Sequence, residues 1–279
     1  MNHNQKRFSF GQNWLSFLRY VDEERIQAAI ESLQDYLGFC DFKGKTFLDI
    51  GCGSGLFSLA ARRLGAKVYS FDYDLEAVKC TEILKSRFYP GDENWVVTKG
   101  SVLDKEFLEK LGKFDIVYAW GVLHHTGNLT RAMALTAELV KPEGVIYLAI
   151  YNYQPYWSSF HRQLKRLYVH SPGVGRFFLL SGYIFFQVTK GLVKDLLLFR
   201  NPFDRYKTKK RIRGMSVWHD WVDWVGGYPF ETAKPEDVFD FFSQRRFILK
   251  KLKTCGGGHG CNEFVFQLIK EESGKGRED

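Results

Sequence analysis

The stretch 47–55 reads FLDIGCGSG: a short apolar run enters three glycines at alternate positions, Gly51, Gly53 and Gly55, and a helical pattern starts at Leu56. Glycines at that spacing let the backbone turn sharply and approach a ligand closely. The N-terminus of the helix that follows offers unpaired N–H groups. Asp49 precedes the loop, and Asp72 ends the next apolar run 23 residues later. A carboxylate at that strand end suits a ribose diol. The dinucleotide fingerprint spaces its glycines GxGxxG, whereas the third glycine here falls one position early. The pattern predicts a ligand that carries a ribose, held where the strands end, with a nicotinamide dinucleotide as the main competing reading.

Short apolar runs alternate with helical periodicity beyond the loop. Strands are expected at Thr46–Ile50, Lys67–Asp72, Trp95–Lys99, Phe114–Ala119 and Val145–Tyr151. Helices are expected at Leu56–Leu64, Leu75–Phe88, Asp104–Leu111 and Asn128–Val140. Such alternation predicts an α/β fold, a parallel sheet covered by helices on both faces. Ahead of it, Asp22 reads as an N-cap, Ile26, Ala29, Ile30, Leu33 and Leu37 recur at helical spacing, and Gly38 ends the helix. The aromatic first twenty residues, with Phe8, Phe10, Trp14, Phe17 and Tyr20, read as a docking arm. After Tyr151 the alternation stops. It returns at Pro235, a favoured first helical residue, with a helix through Gln244 and two strands, Phe247–Thr254 and Phe264–Lys270, joined by CGGGHGCNE. The expected organisation is an arm and helix (1–44), an α/β domain (45–150 and 236–270), an insertion between strands five and six (151–235) and a polar tail (271–279).

Charge sharpens the view of the insertion. Residues 151–235 carry 14 Lys and Arg against 5 Asp and Glu, while the rest of the chain carries 26 against 27. The net charge of +8 is therefore local, which points to an anionic partner. Within the insertion, Trp157–Tyr168 reads as a helix with a basic face of Arg162, Lys165 and Arg166. Phe177–Phe199 is apolar and aromatic, Arg205–Arg213 packs six basic residues into nine, and Trp218, Trp221 and Trp224 follow. No uncharged apolar run reaches the roughly 20 residues that span a bilayer, and the first residues lack a signal-peptide core. Five cysteines, an odd number, fit reduced thiols and a cytoplasmic setting.

The residues 45–151 and, more loosely, 235–270 resemble the S-adenosylmethionine-dependent methyltransferases of the Rossmann-like class. DIGCGSG is similar to their first motif, VYSFDYD to their second, GSVLD to their third and FDIVYAWGVLHHTGN to their fourth; KPEGVIYLAIYN resembles their fifth-strand segment. The resemblance is greatest to ubiquinone-type small-molecule methyltransferases with an insertion after strand five. It implies a seven-stranded sheet whose last strand is antiparallel, and S-adenosylmethionine as cofactor. It also implies roles. Asp49, Gly51, Cys52, Gly53 and Gly55 would hold the methionine end, Asp72 the ribose hydroxyls, and Tyr73, Ser101 and Val102 the adenine; Trp120 would lie beside the methionine moiety. The ubiquinone-type enzymes carry a Glu-x-x-Glu-His metal cluster where this chain has Gly121, His124 and His125, so no metal is expected.

Methyl transfer needs a base only where the acceptor must lose a proton. His125, then His124, follow strand four at the cofactor end, and His259 sits in the glycine-rich loop after strand six. These are the candidate acid–base groups. Tyr151, Asn152, Tyr153, Gly257, Gly258 and His219 are the candidate acceptor-binding residues. Three uses of the insertion compete: a lid over a small-molecule or lipid-linked acceptor, a peripheral membrane contact, or RNA binding through 205–213. The expected activity is methyl transfer to oxygen or carbon of such an acceptor. The alternatives are a tRNA methyltransferase and a non-catalytic cofactor-binding scaffold.

Overall fold

The computed structural model describes Trp14, residues 17–199, Asn201 and residues 217–270, with the backbone alone at 217–220 and 223. Phe8, Phe10, the basic run 205–213 and the tail 271–279 lie outside the described residues. The elements are α1 (Glu23–Leu37), β1 (Thr46–Ile50), α2 (Leu56–Arg63), β2 (Lys67–Asp72), α3 (Leu75–Phe88), β3 (Trp95–Lys99), α4 (Lys105–Leu111), β4 (Phe114–Trp120), α5 (Leu129–Glu138) and β5 (Val140–Tyr151). Then come α6 (Trp157–His170), α7 (Gly173–Leu197), α8 (Val217–Gly226), α9 (Pro235–Ser243), β6 (Phe247–Lys253) and β7 (Cys261–Leu268).

The seven strands form one sheet in the order β3-β2-β1-β4-β5-β7-β6. β1 to β5 pair in parallel, while β7 runs antiparallel to both β5 and β6. β6 consequently points the same way as β1 to β5. The loops after all six strands open on one edge. The order reverses between β1 and β4, so the crevice for a ligand lies there.

Strand alternation divides the core between the two faces. Phe47, Ile116, Tyr118, Val145 and Tyr147 meet α1, α2 and α3 on one side. Leu48, Val117, Ile146 and Leu148 meet α4, α5 and α9 on the other. Adjacent residues of one strand serve opposite layers because their side chains point to opposite faces. Burying each Phe or Leu stabilises the fold by about 1.5–3 kcal/mol. Surface ion pairs such as Arg63–Glu23 contribute far less.

Local signals account for the helix ends. Asp22 caps α1 by accepting from the Arg25 amide, and Gly38 closes it at φ 72°. Asp74, Asp104 and Asn128 cap α3, α4 and α5 in the same manner.

The differences from expectation lie at the edges. β5 begins at Val140, because Val140 pairs with Phe114 before the register shifts to Ile116 and Val145. β7 begins at Cys261, where Cys261, Asn262 and Glu263 pair with Tyr151, Ile150 and Ala149. The glycine-rich connection is therefore shorter than the expected CGGGHGCNE loop. The insertion is helical. Its basic face is broken, since Lys165 is 1% exposed. No helix among the described residues is long and apolar enough to cross a membrane.

Candidate active site

A cleft of about 2640 Å³ runs along the edge where the parallel strands end. Single small-ligand pockets measure roughly 300–1,000 Å³, so this one has room for two ligands. The glycine loop, the ends of β2, β3 and β4, and α1 line one half; α6, α7, α8 and the β6–β7 loop line the other.

In the first half, Gly51, Gly53 and Gly55 all have positive φ. A Cβ at Gly51 would stand 2.5 Å from Val122, so only glycine lets the β1 and β4 loops approach this closely. Gly53 lies against the indole of Trp14, an arm residue that joins the cleft wall. Gly55 stands behind the wall and packs on Thr81.

Asp49 and Asp72 both face the cleft. Asp49 accepts from the Ser58 hydroxyl, which also bonds Ser70, and Ser70 accepts from the Trp95 indole. Asp72 accepts from the Gly53 amide at 3.1 Å and the Asp74 amide at 2.9 Å. Burial, together with repulsion from Asp72, lifts Asp49 to about 7 despite its bond from Ser58. Burial lifts Asp72 to about 6. Two carboxylates held this far up, one buried and one half-buried, favour a cation beside them. Tyr73, Ser101, Val102, Trp120 and Cys52 also line this half. Burial raises the Cys52 thiol well above its ordinary range, so it is inert as a nucleophile.

The candidate catalytic and acceptor residues separate in space. His125 reaches the wall, and its Nδ1 donates to the Pro229 carbonyl at 2.7 Å. Burial and the Lys165 charge hold it down to about 3. His124 is a correction to the expected acid–base pair: it is fully buried off the cleft wall. Its ring packs 4.0 Å from Tyr151, and its Nδ1 accepts from the Tyr151 amide at 3.4 Å. His259 and Tyr151 line the cleft.

Asn152, Tyr153, Gly257 and Gly258 do not line it. Asn152 ties the loops together, donating to Gly258 O and accepting from Asn262. Gly257 O accepts from Gln154. Tyr153 belongs to a shallow groove on the other side of α6. The side chain of His219, on α8, lies outside the described residues.

Three residues to which the sequence gave no site role lie in the acceptor half or at its junction with the donor half. His161 and Lys165, one turn apart on α6, are buried, and Lys165 donates to Trp224 O. Its ammonium lies 4.1 Å over the Trp224 ring and 4.8 Å over Phe230. Glu263 accepts from the Trp120 indole at 3.2 Å and from the Tyr147 hydroxyl. The tryptophan cluster was the only signal for the first two, and nothing local marked Glu263. Among the described residues no group of three His, Cys, Asp or Glu side chains could hold a metal.

Comparison with known proteins agrees with this geometry. A family model described as Methyltransferase domain matches residues 21–187. The ubiquinone biosynthesis O-methyltransferase of Xanthomonas oryzae pv. oryzae is 35% identical over 144 residues, 49% of this chain and 58% of that one. The protein of the same name from Rhodopseudomonas palustris is 30% identical over 146 residues, 52% of each chain. The chain thus spans little more than half the length of these curated relatives. Among solved structures, magnesium protoporphyrin IX methyltransferase from Synechocystis PCC 6803 superposes with a TM-score of 0.52 at 14% identity, over 90% of this chain and 86% of that one. A putative methyltransferase from Bacillus halodurans gives 0.52 at 10% identity, over 86% and 99%. With the family model covering more than half of its residues, and with this sheet order, the chain belongs to the methyltransferase-domain family, in its Rossmann-like S-adenosylmethionine-dependent class.

Proposed function

We propose that the protein transfers the methyl group of S-adenosylmethionine to oxygen or carbon of a small-molecule or lipid-linked acceptor. The observation that carries this reading is the two-part cleft. Cation-seeking carboxylates and the glycine loop occupy one half, and an aromatic wall built by the insertion occupies the other.

The residues present suit the donor. It brings a sulfonium and an ammonium, and the carboxylates of Asp49 and Asp72 form no ion pair among the described residues. When bound, S-adenosylmethionine supplies a methyl group already activated by its sulfonium. The protein then has to orient the acceptor and exclude water, contributions worth several kcal/mol. In this reading Asp72 takes the ribose diol, and Tyr73, Ser101 and Val102, which line the same half of the cleft, take the adenine. Trp120, fixed by Glu263, borders the junction of the two halves. His125 is neutral at pH 7 and too weak a base to deprotonate a phenol. Its role is to shape the acceptor wall with Tyr151, 5.6 Å away.

An apolar or lipid-linked acceptor gains support from α7. Phe178 and Phe186 line the cleft, and the same helix exposes Phe177, Phe185, Leu196 and Leu197. The test is incubation with labelled donor, followed by separation of lipid, small-molecule, protein and nucleic-acid fractions. Label should enter the lipid or small-molecule fraction. Label in tRNA, or slow turnover with every extract, would overturn the acceptor class or the enzymatic reading respectively.

A further inference from the structure

The acceptor half of the cleft contains a cluster of basic groups that the methyl donor does not use. His161 on α6 and His259 in the β6–β7 loop face each other with ring centroids 4.6 Å apart. Both line the cleft. His161 is 7% exposed, yet neither ring has a hydrogen-bond partner among the described residues. Its surroundings are Trp157 and Phe160 on its own helix and Trp224 of α8, with ring centroids at 5.9, 5.7 and 5.2 Å. Lys190 of α7 lines the same wall and pairs with no carboxylate among the described residues. The charges bearing on the two rings come from Lys165 on α6, Lys190 on α7 and the rings themselves, and all are positive. The carboxylates of the cleft, Asp49, Asp72 and Glu263, stand at the donor half and at its junction with Trp120.

We propose that His161, His259 and Lys190 form a seat for an oxyanion carried by the acceptor, a carboxylate or a phosphate, with Trp157, Phe160 and Trp224 packing on the apolar body beside it. This deepens the methyltransferase reading and rests on it: the acceptor is an anionic aromatic or lipid-linked molecule rather than a neutral one. A buried imidazole and an exposed one beside a lysine are poor company for a divalent cation, because the ammonium repels it. They suit an anion, which lets each ring take up a proton and donate to it. The rings are arranged on a continuous aromatic path. Trp224 lies 5.4 Å from Tyr151, which lies 5.6 Å from His125 at the end of β4. An acceptor anchored by its anion is thus led along that wall toward the donor.

Burial, then the neighbouring positive charges, holds His161 down to about 4, and the same causes lower His259. An anion between them opposes both causes. Its binding should take up protons, and its affinity should rise as pH falls toward the ordinary histidine range.

The test uses the full chain with imidazole nitrogens labelled for NMR, titrated with benzoate, phenyl phosphate and the neutral benzamide. Benzoate or phenyl phosphate should raise the titration midpoints of His161 and His259 by about one pH unit or more, and benzamide should not. The tighter of the two anions identifies the acceptor's own anionic group. Lys190→Ala and His161→Gln should each weaken that binding about tenfold or more, while calorimetry shows affinity for S-adenosylhomocysteine unchanged. Lys190 is exposed, so its variant tests the seat even if His161→Gln fails to fold. Benzamide binding as tightly as benzoate, or anions that leave both midpoints in place, would overturn the proposal. If the anions bind and S-adenosylhomocysteine does not, the seat stands and the methyltransferase reading fails.

Discussion

At the scale of single residues, the glycine loop is where sequence and structure meet most directly. Gly51 has φ 70°, and its missing Cβ leaves room for Val122. Gly51→Ala therefore adds a clash to a left-handed strain and should destabilise the protein by about 1–3 kcal/mol. Pairing it with Val122→Ala should recover the steric share and leave the conformational share. Urea unfolding of the two variants checks this, and equal losses would show that Val122 was not the obstacle. Asp72 holds the loop through the Gly53 amide while it faces the cleft. Asp72→Ala should weaken S-adenosylhomocysteine binding by about tenfold or more, because a ligand diol and a loop amide lose the same partner. Unchanged affinity by calorimetry would remove Asp72 from the donor site.

At the scale of elements, what could be read in advance was local. The β1, β2 and β3 bounds, the caps of α1 and the switch to helix at Leu56 depend on residues a few positions apart, and the sequence carried all of them. Lys165 was read as part of a basic face with Arg162 and Arg166. Its burial depends on Trp224, fifty-nine positions away, and no periodicity reports that. Asn152 looked like an acceptor contact because it follows β5, yet its amide is spent on Asn262 and Gly258. Glu263 was invisible for the same reason. It joins Trp120 of β4 and Tyr147 of β5 from its place on β7, with Lys253 of β6 at 3.6 Å. A clasp over four neighbouring strands is a product of the strand order. Glu263→Ala removes the acceptor shared by the Trp120 indole and the Tyr147 hydroxyl, which should lower stability by about 1–3 kcal/mol. The urea midpoint should fall with its slope unchanged; a shift below experimental error would mean that the clasp is replaceable by water.

At the scale of the whole molecule, the buried titratable groups oppose one another. Asp49 and Asp72 titrate near 7 and near 6 when folded, against roughly 3.9 unfolded. Between those limits the folded state keeps protons that the unfolded chain has lost, so these two make stability fall as pH rises. His125 and His161 are held to about 3 and about 4, and His124 well below its ordinary value. Unfolded, they protonate near 6.5, so below that pH they make stability fall as pH drops. Across about pH 5 to 6 the two carboxylates and three histidines nearly balance, leaving a slope of roughly one proton, about 1.4 kcal/mol per pH unit, rising with pH. Removing one member should expose the other side. Asp49→Asn should steepen the rise by about 1.4 kcal/mol per unit, and His161→Gln should flatten it by a similar amount. Urea unfolding of the three proteins at a few values in that window measures the slopes. If both variants move the slope in the same direction, the opposed titration of the two groups is wrong; if they move it oppositely, the folded cleft keeps a proton on Asp49 and refuses one to His161 across that window.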